Sequence, residues 1–98
     1  MMNTRLFSTS TKSFISETGI SLTVRYGLII EEIVLSQDGI SIENYGVCVD
    51  ILESGERAYI KGITVLASTI LNLLDLLSEM LVTPSTLVEV LDDLLGEI

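Results

Sequence analysis

The sequence predicts an α+β domain: a three- to four-stranded antiparallel β-meander followed by a two-helix hairpin packed on one sheet face. Three observations carry this. Residues 20–63 alternate apolar and polar side chains at the period of a strand, broken by two short turn signals; residues 64–98 change to helical period; and Thr83-Pro84 divides the helical part in two. Strands that precede the helices, instead of alternating with them, place both helices on one face of an antiparallel sheet.

Taken in order, residues 1–13 read as a flexible N-terminal arm and residues 14–98 as the domain, with the sheet over 14–63 and the helical hairpin over 64–98. The arm carries Arg5, Lys12 and the run Ser8-Thr9-Ser10-Thr11 and holds no acid as far as Ser16. Chain starts of this polarity are poorly ordered unless something ties them down. Two basic residues and a poor apolar face also fit an organellar targeting peptide badly. A short edge strand around Phe14-Ile15 is the structured alternative.

Ile20–Val34 is the first clear strand, with Ile20, Leu22, Val24, Tyr26, Leu28 and Ile30 on one face. Glu31-Glu32 blurs the alternation and suggests a bulge or a break. Ser36-Gln37-Asp38-Gly39 reads as a turn because Asp-Gly accepts positive backbone angles. Ile40–Leu52 follows, with Tyr45, Val47, Val49 and Ile51 on one side and Cys48 and Asp50 on the other. Glu53-Ser54-Gly55-Glu56 turns the chain into a further strand, Arg57–Ile63.

In Ala67–Leu81, Ile70, Leu73, Leu74, Leu77 and Leu81 form an apolar ridge, and Asn72, Asp75, Ser78 and Glu79 leave only a narrow wet stripe. Ser68 or Thr64 is the expected N-cap. The second helix is expected from about Pro84 to Leu95, with Thr83 capping and Pro84 in the first turn. Leu87, Val88, Val90, Leu91, Leu94, Leu95 and Ile98 line its apolar side, opposite Glu89, Asp92, Asp93 and Glu97. Such a hairpin has no closed core of its own, so its leucines must lie on a sheet, on another copy, or on both.

The order Tyr45-Gly46-Val47-Cys48-Val49, then Ile60-Lys61-Gly62-Ile63-Thr64 leading into a helix, then Pro84 with Leu87, Val90, Leu91, Asp92, Asp93 and Leu94, resembles an uncharacterised family of small Firmicutes proteins over roughly residues 22–95. The resemblance departs in the Ser/Thr-rich start and the leucine-rich first helix. It implies a bacterial or phage, cytoplasmic origin and brings no catalytic residue.

Composition narrows the function. Fourteen acidic residues against five basic ones give a net charge of −9, and nothing basic follows Lys61. Direct nucleic-acid binding is disfavoured, because affinity for a phosphate backbone comes from lysine and arginine displacing counterions. No apolar run reaches the roughly 20 residues that a membrane helix needs. The single Cys48 fits a reducing, cytoplasmic setting.

No catalytic, cofactor-binding or metal site is expected. Histidine is absent, so the commonest general base and nitrogen ligand are missing. Cys48 reads as a structural thiol, Lys61 as a solvated strand residue, and Gly27, Gly46 and Gly62 do not form a phosphate loop. Glu89, Asp93 and Glu97 recur at four-residue spacing without a calcium-loop pattern. Only a polar pocket collecting Tyr45, Tyr59, Lys61 and Asp50 would bring an enzyme back into consideration.

What remains is an interaction protein, a small regulator or inhibitor. Glu89, Asp92, Asp93 and Glu97 are the expected contact to a basic protein surface, since acids near a helix C-terminus oppose the macrodipole and a cationic partner would relieve that. Arg57 or Lys61 could supply the same relief within the fold. Leu71, Leu76 and Met80 exceed what one helix contact needs and point to a homodimer interface, or else to a first helix sandwiched between sheet and second helix. The rival reading is a phage-type inhibitor, like anti-CRISPR or anti-restriction proteins, whose carboxylates imitate nucleic acid in the groove of a DNA-handling enzyme.

Overall fold

Four long strands laid side by side in chain order make one antiparallel sheet, and two helices then contact it. The computed structural model describes residues 2–35 and 39–96. The elements are β1 (Met2–Ile15), β2 (Ser21–Val34), β3 (Ser41–Ile51), β4 (Arg57–Thr64), α1 (Ala67–Glu79) and α2 (Leu87–Gly96), with sheet order β1-β2-β3-β4. The α+β meander with a following helix pair is therefore the observed architecture.

The N-terminal arm expected over residues 1–13 needs correction. From Met2 onward this stretch is strand β1, paired with β2 from Met2↔Ile33 to Ile15↔Ser21. The physical reason is in the composition already noted: threonine favours extended backbone, β2 pairs with the segment along its length, and its two charges, Arg5 and Lys12, are exposed. A tight turn closes this hairpin. The Ser16 amide donates to the Ile20 carbonyl at 2.9 Å, the Gly19 amide to the Ser16 carbonyl at 2.9 Å, and Gly19 takes a positive φ of 83°.

Glu31-Glu32 does not break β2, which runs unbroken to Val34. The irregularities fall elsewhere, at Ser8/Ser10 in β1 and at Tyr45/Val47 against β4. Of the expected turn at residues 36–39, residues 36–38 lie outside the described residues, while Gly39 has the positive φ that the Asp-Gly pairing anticipates. The β3–β4 turn closes through the Gly55 amide on the Ile51 carbonyl at 2.9 Å.

One sheet face carries the core. Val24 and Tyr26 of β2 and Val47, Val49 and Ile51 of β3 meet Ile70, Leu73, Leu74 and Leu77 of α1, and Leu87 and Leu91 of α2 join the same cluster. Burying side chains of this size stabilises by about 1.5–3 kcal/mol each relative to exposure. Tyr26 lies wholly inside, and its hydroxyl donates to the Val82 carbonyl at 2.8 Å, tying the sheet to the connection between the helices. At the bulge, the Thr9 hydroxyl donates to the Tyr26 carbonyl at 3.1 Å, and Ser10 reaches the buried Ser78 of α1 at 3.4 Å.

The helix ends differ in part from the expected caps. The N-cap of α1 is Leu66, with no side-chain cap; Thr64 instead accepts the Leu66 amide at 3.1 Å, and Ser68 already lies inside the helix. At the other end Leu81 stands at φ 52°. The Val82 amide donates to the Leu77 carbonyl at 3.0 Å and the Leu81 amide to the Ser78 carbonyl at 3.2 Å. This is a Schellman closure, made here with leucine where glycine is usual.

Before α2, the Thr83 amide donates to the Thr86 hydroxyl at 3.2 Å and the Thr86 amide returns a bond to the Thr83 carbonyl at 3.1 Å. Thr86 thus plays the part that glutamate takes in a capping box. Pro84 sits in the turn between them, one turn ahead of the assigned start of α2 at Leu87.

Candidate functional site

Two surfaces collect the side chains that sequence reasoning singled out, one on each side of the sheet. The first is the outside of the helical layer. Glu89, Asp92 and Asp93 are exposed on α2, and Asp75 and Glu79 are exposed on α1. Glu97, the fourth expected contact residue, lies outside the described residues. Neither helix carries a basic residue in its last turn.

Leu71, Leu76 and Met80 are 48%, 42% and 53% exposed. A first helix sandwiched between sheet and second helix would cover these three side chains, and they are not covered. The buried stripe of α1 is Ile70, Leu73, Leu74, Leu77 and Ser78, and a helix resting on one sheet leaves the opposite arc to solvent. Between the helices an apolar groove of about 230 Å³ is lined by Thr69, Asn72, Leu73, Leu76, Leu94 and Leu95. On α1, Asp75 and Glu79 stand one turn from the groove residues Asn72 and Leu76, so carboxylates border a greasy channel.

The second surface is the open face of the sheet, away from the helices. Strand alternation sends Arg25, Gly27 and Ile29 of β2, Gly46, Cys48 and Asp50 of β3, and Arg57, Tyr59 and Lys61 of β4 to this side. The register makes rows of them: Arg25↔Asp50↔Arg57 is a charged row, and Ser8↔Gly27↔Cys48↔Tyr59 is the next. Arg25 grips Asp50 with both ends of its fork, Nε to Oδ1 at 3.2 Å and Nη2 to Oδ2 at 2.8 Å. Arg57 stands further off, 3.6 Å from the same Oδ2. The hydrogen bond and charge of Asp50 push the Arg25 guanidinium above its ordinary value.

Arg57 and Lys61, considered above as relief for the acids of α2, lie on this opposite face. Arg57 leans toward Asp50, and the Lys61 ammonium sits 5.7 Å from the centre of the Tyr59 ring. Among the described residues, Glu89, Asp92 and Asp93 have no cation within ion-pair distance.

The four residues named as the condition for an enzyme are not brought together. Tyr59 and Lys61 line one depression and Asp50 an adjoining one. Tyr45 points to the other face, where its hydroxyl donates to Glu43 at 3.1 Å, and Glu43 also pairs with Arg5 at 2.7 Å. Cys48 is buried, and burial pushes its thiol up, the opposite of what a nucleophile at neutral pH requires. Among the described residues no three potential metal ligands gather in one place. Nor is any described helix long and apolar enough to cross a membrane.

The open face is not legible as a site in the sequence, because its parts are spread over all four strands and residues 1–13 read there as a flexible arm. The one signal available was that Arg57, Tyr59 and Lys61 alternate with Ala58 and Ile60, which puts two cations and an aromatic ring on the same side. No curated protein and no solved structure matches the chain. The family model that matches, over residues 5–97, is that of a family of unknown function, DUF6514, and the chain belongs to this family.

Proposed function

We propose that this member of the family is a non-enzymatic cytoplasmic docking module, a small regulator or inhibitor, whose helical layer receives a basic amphipathic segment of a partner protein. One observation carries the reading: the groove lined by Leu73, Leu76, Leu94 and Leu95 lies between two helices whose exposed charges are all carboxylates. Apolar anchors would enter the groove, and lysine or arginine would meet Asp75, Glu79, Glu89, Asp92 and Asp93. Charge complementarity of this kind contributes to the rate of encounter and to the choice of partner.

A second occupant is favoured by the exposure of Leu71, Leu76 and Met80, namely another copy of the chain joined through these residues. Two layers of like charge repel, so self-association should strengthen with salt, whereas docking of a basic partner should weaken. An inhibitor that imitates nucleic acid is a special case of the first reading. Its partner would be a DNA-handling enzyme, and DNA would compete for it.

The test is Asp92→Lys with Asp93→Lys. Proteins retained by the native chain from a host extract at low salt should be lost from the variant, with thermal stability equal or higher. Unchanged retention by the variant would remove the acidic face from the account. Light scattering in low and high salt separates the self-associated form.

A further inference from the structure

We infer that the open face of the sheet is a separate binding site for a small amphipathic anion, a medium-chain carboxylate whose hydrocarbon lies on Leu6, Ile29 and Tyr59 and whose head group meets Arg57 and Lys61. Two adjoining depressions, of about 230 and 150 Å³, have Leu6 and Cys48 in common and together make up the trough. Its shape follows from residue size. Gly27 and Cys48 keep the two central strands low, while Leu6 on β1 and Tyr59 on β4 stand up at the edges, 51% and 58% exposed.

Its charge follows from a division of labour at Asp50. That carboxylate is already held bidentately by Arg25, which leaves Arg57 only a longer contact at 3.6 Å. Lys61 has no carboxylate within ion-pair distance among the described residues and rests near the Tyr59 ring. Three cations and one carboxylate therefore line the trough of a protein whose net charge is −9.

The size and character of the trough select a small ligand. Small-molecule sites are mostly apolar with a few placed polar groups, and this one lies at the small end of their range. A polyanion would meet the carboxylates that surround it on the rest of the surface. A single anionic head on a few carbons meets only the local cations.

Octanoate is the probe, with octylammonium as a control of equal chain length and opposite charge. In an NMR titration, octanoate should give saturable shifts at Leu6, Ile29, Cys48 and Tyr59, and octylammonium should not. Arg57→Gln with Lys61→Gln, two exposed substitutions, should weaken octanoate at least tenfold while the thermal midpoint holds. Because Cys48 is the only cysteine and lines both depressions, octanoate should also slow its alkylation severalfold in the native chain but not in the variant.

Equal binding of octylammonium, or octanoate affinity unchanged in the variant, would overturn the site. So would shifts of the same residues that grow with protein concentration in the absence of octanoate, since these would mean that a second copy covers the face. None of these outcomes depends on Asp92 or Asp93, so failure here is distinct from failure of the helical docking surface.

Discussion

The Tyr26 hydroxyl donates to the Val82 carbonyl at 2.8 Å, joining the middle of the sheet to the connection between the helices. Both residues are buried, so neither group has water as a substitute. Tyr26→Phe should therefore cost about 1–3 kcal/mol, the penalty of an unpaired buried carbonyl. For a domain of this size each kcal/mol lowers the midpoint by roughly 4–8 °C, readily read by thermal or denaturant unfolding.

The same residue gives an alkaline signature. Burial pushes the Tyr26 hydroxyl up to about 12, whereas an unfolded tyrosine titrates near its ordinary 10. Between those values the folded chain keeps a proton that the unfolded chain has lost. Stability from this group is complete below pH 10 and falls as pH rises through 12. In Tyr26→Phe the fall should be shallower but not absent, because Tyr45 is also raised, by burial and by its bond to Glu43.

How much of this was legible in the chain depends on whether the signal was local. The strands with strict alternation and the two leucine helices were readable because burial on one face imposes a period on the sequence. The pair Tyr-Gly occurs at 26–27 and again at 45–46 for the same reason: both tyrosines face the helices and both glycines the open side. Strand β1 was not readable, since Ser8-Thr9-Ser10-Thr11 lacks an apolar face and is ordered by its partner β2. Edge position, in place of disorder, explains its polarity. The acids of α2 follow from one helical period, but the trough draws residues from four strands that only the register brings together.

Leu81 occupies the left-handed region at φ 52°, where a side chain costs about 1–2 kcal/mol relative to the right-handed helix. Truncation alone would confuse that backbone cost with lost packing, because the leucine is half-buried. The informative comparison is Leu81→Ala against Leu81→Gly, which remove nearly the same contacts. The glycine variant should be the more stable by about 1 kcal/mol in denaturant titrations. Equal stabilities would mean that the Schellman closure does not constrain this residue in solution.

The N-terminus of α1 offers a gain. Leu66 already has extended N-cap angles, φ −97° and ψ 113°, but its side chain makes no cap bond and is 59% exposed. Leu66→Asp places a carboxylate on free amides at the positive end of the helix and should stabilise by about 1 kcal/mol, seen as a higher midpoint.

Gly46 tests how closely β3 and β4 approach at the bulge beside the trough. A Cβ built there runs into the Ile60 carbonyl oxygen and comes within 2.7 Å of the Lys61 Cα, both backbone groups of β4 that cannot swing aside. Gly46→Ala should cost at least about 1–3 kcal/mol, the usual range for overpacking. Gly27→Ala meets Leu6 Cδ1 and the Phe7 carbonyl at 3.2 Å and should be milder, because the leucine end can shift. Amide exchange should quicken in β4 for the first variant and hardly at all for the second.

The acids at the end of α2 link stability to docking. Asp92 and Asp93 are exposed near the C-terminal end, with no basic residue in the last turn to balance the helix dipole. Each negative charge there costs about 0.3–1 kcal/mol at low ionic strength. Asp92→Asn with Asp93→Asn should therefore raise the thermal midpoint at low salt. At about 1 M salt, where charges are screened beyond roughly 3 Å, the gain should nearly vanish. If the two acids are kept for a basic partner, the variant that is more stable alone should bind that partner more weakly, and the complex should lose its stability advantage over the free chain. Gains in both stability and binding would show that these carboxylates oppose docking, and the contact would then have to be sought along the groove between Leu73 and Leu94.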